Sequence, residues 1–210
     1  MMKAYLRLLS GLTVLGMLAG TMVLGGCRGG APPASSTLPQ TTVPKETKPV
    51  ETMTSTTLKL TSTSLQDGMP IPVRYTADGK NLSPELAWQD VPEGVAELAL
   101  IVEDPDAPSG DFVHWVVYSI PSSMNGLAEG LPTGHHPDAQ VPFVQGRNDF
   151  GKVGYNGPAP PPGKVHHYHF RLMALDQKLN LPANADKKDL RQAVRGHIIA
   201  ESELVGTYQR

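Results

Sequence analysis

A single cysteine, Cys27, stands in 210 residues, so no disulfide can form within the chain and any core must hold by packing alone. Aromatic side chains are sparse at 6 %, which makes each of them a marked position rather than part of a general apolar background. Basic residues neither outnumber acidic ones nor gather in a run: 18 Lys and Arg face 20 Asp and Glu, for a formal charge of −2. That balance leaves no electrostatic footprint for a polyanion, and no nucleic-acid partner is expected. The Gly-x-Ser-x-Gly turn of serine hydrolases and the His-Glu-x-x-His helix of zinc hydrolases are also missing.

What the chain does have begins at its first residues. Lys3 and Arg7 precede an uncharged apolar run from Leu8 to Gly26, broken by Gly11, Gly16 and Gly20 and ending in small residues. A basic start, an apolar middle and a small-residue exit is the order of an export signal, and the glycine interruptions argue against a membrane-spanning anchor. Leu24-Gly25-Gly26-Cys27 resembles the lipobox of bacterial lipoproteins, which implies that Cys27 receives lipid and becomes the first residue of the mature chain. Ordinary cleavage leaving a free thiol is the alternative, at odds with an oxidising compartment. The first 26 residues hold two basic side chains and no acidic one, so the remainder carries −4.

From Arg28 to Thr57 five Pro, three Ser and eight Thr fill sixteen of thirty positions, without one aromatic to seed a core. Such a composition predicts a disordered tether reaching roughly 30 Å. The expected organisation is a lipoprotein signal peptide over 1–26, the lipidated Cys27 and its tether over 27–57, and a folded domain over 58–210. Within that domain, β-rich runs such as Ile71 to Thr76, Leu98 to Val102, Phe112 to Ile120 and Tyr168 to Leu175 alternate with Pro, Gly, Asn and Asp clusters. Only Asp186 to Arg195 has helical spacing, with Asp186 placed to cap. A mainly β, antiparallel domain with a few short peripheral helices follows.

Three segments concentrate chemistry. Glu103-Asp104-Pro105-Asp106-Ala107-Pro108 lies between two apolar runs, and its prolines hold Asp104 and Asp106 in a fixed turn. His114 sits in a strand apolar on both faces, where burial demands hydrogen-bond partners; a satisfied core histidine and a functional one fit the pattern equally. The loop Gly157-Pro158-Ala159-Pro160-Pro161-Pro162-Gly163 mixes stiffness with glycine freedom, suited to turning backbone N–H groups toward an anion. In the strand that follows, period two places His166, Tyr168, Phe170 and Leu172 on one face and His167, His169 and Arg171 on the other. The first face turns apolar along its length, so His166 and Tyr168 should open into a pocket.

Asp104-Pro-Asp-Ala-Pro108, His114-Trp115 through Ile120-Pro121, and Gly157-Pro158 followed by His166-x-Tyr168 resemble the signature blocks of the phosphatidylethanolamine-binding (Raf kinase inhibitor protein-like) family. Gly146-x-Asn148-Asp149-Phe150-Gly151 and the ending Gly196-His197 to Tyr208 are similar to its bacterial branch. The resemblance implies a β-sandwich-like fold with a small cavity and ligand-binding candidates Asp104, Asp106, Pro108, His114, Gly157, Pro158, His166 and Tyr168. It implies neither cofactor nor metal, and the longer C-terminal helix that borders the site in animal members has no evident counterpart.

Together these expectations describe a binding protein, lipid-anchored in the cell envelope on the extracytoplasmic side, for a small anionic, phosphate-bearing ligand. In the expected scheme, Asp104 or Asp106 accepts a hydrogen bond from His114 or His166, whose outward N–H meets the anion. An enzyme using the same His, Asp and Tyr side chains for acid–base chemistry is the alternative from another class, with regulation of a second protein behind it.

Overall fold

The computed structural model describes residues 57–136 and 141–210, so the expected signal peptide, Cys27 and nearly all of the tether lie outside the described residues. In chain order the elements are β1 (Lys59–Thr61), β2 (Met69–Pro70), a 3-10 turn (Val73–Tyr75), β3 (Leu86–Gln89), β4 (Glu97–Asp104), β5 (Phe112–Pro121), β6 (Gly126–Leu127), β7 (Val144–Gln145), β8 (His166–Leu175), α1 (Lys187–Ala193) and β9 (Ile198–Tyr208). They form a small sheet ordered β1-β3-β6 and a large one ordered β2-β9-β8-β4-β5-β7. All neighbours run antiparallel except β2 beside β9.

The layering follows from alternation along the central strand. In β4 every residue is buried. Leu98, Leu100 and Val102 point one way, into a core shared with Leu60, Trp88 and Leu127 of the small sheet. Ala99 and Ile101 point the other way, against Leu190 and Val194 on or beside α1. A strand covered on both faces must be apolar nearly throughout, and each full-sized side chain buried this way contributes about 1.5–3 kcal/mol. Helix α1 begins where its cap allows: Asp186 accepts from the N–H groups of Lys188 and Asp189, and the Asp189 carboxylate accepts from the Asp186 N–H.

The expected strand over Ile71 to Thr76 is not one. Pro70 and Pro72 remove the donors a ladder needs, so β2 ends at Pro70, the Ile71 N–H makes a last bond to the Thr207 carbonyl, and the chain turns through Val73–Tyr75. Strand β9, with eleven residues, had no counterpart in the strand pattern, because Glu201, Ser202 and Glu203 interrupt its apolar alternation.

β4 pairs with β8 without a break from Glu97 to Glu103, whereas its register with β5 slips twice. Val102 faces Trp115 but Glu103 faces Val113, which leaves His114 as an extra residue. At the other end Leu98 faces Ile120 and Leu100 faces Val117, so Tyr118 and Ser119 share the place opposite Ala99, with Ser119 at φ 56°. Bulges of this kind re-aim side chains and gather next to functional sites.

Candidate functional site

The first bulge and the end of β4 open a cavity of about 300 Å³. Asp104 closes β4 at its edge. Its Oδ2 accepts from His166 Nδ1–H on β8 at 2.7 Å, with both side chains about 95 % buried. Its Oδ1 accepts the N–H of Asp106 at 2.9 Å, so the acidic turn is folded back on its own carboxylate. With Nδ1 committed, the other ring nitrogen of His166 is the one left for a ligand.

Tyr168 follows two residues later on the same face of β8, as the alternation predicts. Its hydroxyl is buried and has no hydrogen-bond partner. Burial, reinforced by the Asp104 carboxylate, pushes the phenol far above its ordinary value and keeps it a donor.

His114 enters through the bulge. In an unbroken strand Val113 and Trp115 would share a face, but the extra residue sends Val113 toward α1 and leaves His114 beside Trp115. The His114 ring stands edge-on to Tyr168 at 5.1 Å. Its Nδ1–H donates to the Asn156 carbonyl at 2.7 Å, and its pKa is lowered by burial, so the ring is neutral at pH 7 with an acceptor at Nε2. The expected carboxylate partner for His114 is therefore a backbone carbonyl instead.

Apart from Ser109, the rest of the lining is apolar. Ala107, Pro108 and Phe112 form one part, and Phe150, Ala159, Pro160 and Pro161 another. Phe150 packs edge-on against both Phe112, at 4.8 Å, and His114, at 5.3 Å.

Of the eight residues singled out in the sequence, Asp104, Pro108, His114, His166 and Tyr168 line this cavity, and three do not. Asp106 turns away: its Oδ2 accepts from the N–H and the ring of exposed His167, and these bonds hold its carboxyl below the ordinary value. The Gly157 N–H, expected to face an anion, is donated to Asn81 Oδ1 at 2.7 Å. A Cβ at Gly157 would stand 2.2 Å from the Tyr75 carbonyl oxygen, so this glycine serves close packing beneath the rim. Pro158 likewise points its carbonyl at the Ala77 N–H, leaving the next three residues of the loop to form the wall. Residue patterns also passed over Asn148, which is buried and holds the bulge: its amide donates to the carbonyls of His114 and Gly154, and its oxygen accepts from the N–H groups of Phe150 and Lys152. Its place in Gly146-x-Asn148-Asp149-Phe150-Gly151 was the available signal.

A family model described as phosphatidylethanolamine-binding protein matches residues 61–209. A UPF0098 protein of Methanothermobacter thermautotrophicus is 47 % identical over 154 residues, spanning 73 % of this chain and 99 % of its own. A UPF0098 protein of Pyrococcus horikoshii is 47 % identical over 141 residues, 67 % of this chain and 71 % of its own. Among solved structures, a phosphatidylethanolamine-binding protein homologue of Chlamydia trachomatis has a TM-score of 0.66 at 41 % identity, covering 74 % of this chain and 99 % of that one. Escherichia coli YbcL, described as a member of the mammalian PEBP family, has a TM-score of 0.68 at 32 % identity, covering 73 % and 98 %.

Proposed function

The chain belongs to the phosphatidylethanolamine-binding protein family, and from that premise we propose that its cavity binds a small anion carrying a phosphate group. The observation that carries this is the Tyr168 hydroxyl, a buried donor that lies near the Asp104 carboxylate but makes no well-formed hydrogen bond within the protein. Leaving such a group unsatisfied costs about 1–3 kcal/mol, which a ligand oxygen recovers. His166 supplies the second donor: protonated, it forms an ion pair with Asp104 through Nδ1 and turns Nε2–H to the anion. Neutral His114 offers the complementary acceptor at Nε2, suited to the P–OH of a singly protonated phosphate monoester.

This recognition weakens with rising pH, since the phosphate, with a second pKa of about 6, loses the hydroxyl that His114 would receive. Calorimetric titration with phosphoethanolamine should show affinity at least about tenfold weaker at pH 8 than at pH 5.5, and loss of binding in His166→Ala. Affinity that does not change with pH, or survives in His166→Ala, overturns the scheme. The Asp104–His166 pair is also the arrangement of an oriented general base, so the same mixtures are assayed for released phosphate; turnover that disappears in His166→Ala moves the site from binding to catalysis.

Membrane attachment through lipid on Cys27, on the extracytoplasmic side of the cell envelope, completes the proposal. Its support is the order of residues from Lys3 to Cys27. Labelled palmitate should enter the parent chain and not Cys27→Ser, with the parent in the membrane fraction; an unlabelled, soluble parent chain refutes the attachment.

A further inference from the structure

The second bulge borders a groove of about 460 Å³, within the roughly 300–1,000 Å³ of small-molecule sites. It lies at the opposite end of β4 from the Asp104 cavity, about 23 Å along the strand at the usual rise, and on the opposite face. Glu97 lines it. This residue is 96 % buried; the backbone N–H groups of Leu179 and Ser119 approach its carboxylate, and its Oε1 has no hydrogen-bond partner. Tyr168 and Glu97 carry the two orphaned buried side-chain atoms among the described residues, and each belongs to the lining of a cavity. Ser119, held at φ 56° by the bulge, lines the groove next to Glu97, and such sparsely populated backbone is found where function demands it.

The surrounding chemistry selects the ligand. Ser122, Ser123 and Asn180 add donors and acceptors, while Pro121 and Leu179 add apolar surface. Lys178 beside Glu97 makes the groove electrically balanced, so neither a cation nor an anion is favoured over water. A carboxylate and an amide flanked by hydroxyls receive adjacent hydroxyl groups well, and an apolar patch takes the C–H face of a ring. We propose that this groove is a second binding site, for a small neutral polyhydroxylated molecule of the hexose type, with Glu97 accepting one of its hydroxyl protons. Burial holds the Glu97 carboxyl above its ordinary value, a cost that a ligand donor would offset.

The test uses the full isotope-labelled chain, followed by amide resonances, with D-glucose, propylamine and acetate as separate probes. Glucose should shift the Ser119, Leu179 and Asn180 amides with a Kd of about 1–10 mM, leaving His114 and Tyr168 unmoved. Glu97→Gln, which keeps the shape and loses the charge, should weaken glucose about tenfold. Asn180→Ala, at an exposed position that the fold does not need, should weaken it at least about threefold. Propylamine or acetate shifting these amides while glucose does not overturns the polyol assignment. Glucose shifts equal in parent and both variants, or no shift with any probe, overturn the site.

Discussion

Strand β4 ends in a buried carboxylate on either side of the sheet, and the two are treated oppositely. Asp104 has every demand met, by the His166 ring and the Asp106 N–H. Glu97 keeps one oxygen without a partner. In each case a slip in the β5 register lies alongside, at His114 near Asp104 and at Tyr118–Ser119 near Glu97. A satisfied carboxylate orients its neighbours and is costly to remove; an unsatisfied one is a cost the fold already carries, and removing it is cheap. The same residue class at two ends of one strand thus does positioning in one place and waits for a partner in the other.

The largest effect that separates the two ends should come from Asp104→Ala. It strands the His166 ring and the Asp106 N–H in a dry site, and breaking a buried pair from one side costs about 3–5 kcal/mol. Urea unfolding at neutral pH measures it, and a loss under about 1 kcal/mol would place Asp104 among ordinary surface carboxylates. Gly157→Ala comes next, with about 1–3 kcal/mol, because its new Cβ meets the backbone of Tyr75 and Thr76 rather than a side chain that can move.

Glu97→Gln should have the opposite sign. A carboxyl raised by burial binds its proton more tightly folded than unfolded, so the parent loses stability as pH rises from about 4.5 through the folded value and stays lower above it. The variant lacks that fall: at pH 7 it should be more stable by under about 1 kcal/mol, and the two curves should meet below about pH 4. A variant less stable than the parent across the whole range would mean that Glu97 is already satisfied. The smallest effect belongs to Asp106→Ala, whose half-exposed pairing with His167 contributes under about 1 kcal/mol and points away from the cavity. Calorimetry with phosphoethanolamine should change less than about twofold; a larger loss would return Asp106 to the binding site.

Much of the sheet was legible in the sequence because its strands declare themselves one at a time. Phe112 to Ile120 and the alternation from His166 to Leu172 needed only their own residues, and so did Asp186 as a cap. The missing information was relational. Nothing in Phe-Val-His-Trp-Val says that His114 has no opposite number on β4, since a bulge is a property of two strands. Likewise Gly157 reads as a free loop glycine until Asn81, 76 residues earlier, is seen to take its N–H. The outward turn of Asp106 depends on His167, and Phe150 joins the cavity only because Asn148 ties its loop to β5. Strand β9 escaped notice because its polar residues are supported by β8 along its length.

His114 is supernumerary to the ladder, and this makes architecture and recognition separable in a way that point substitutions do not allow. Deleting the residue would let β5 run in step with β4 from Phe112 to Val117, as far as the second slip, removing the imidazole and the first irregularity together. The resulting chain, one residue shorter, would keep its β-framework together with His166 and Tyr168 and lack only the His114 acceptor, a blank against which every later graft at this position can be measured.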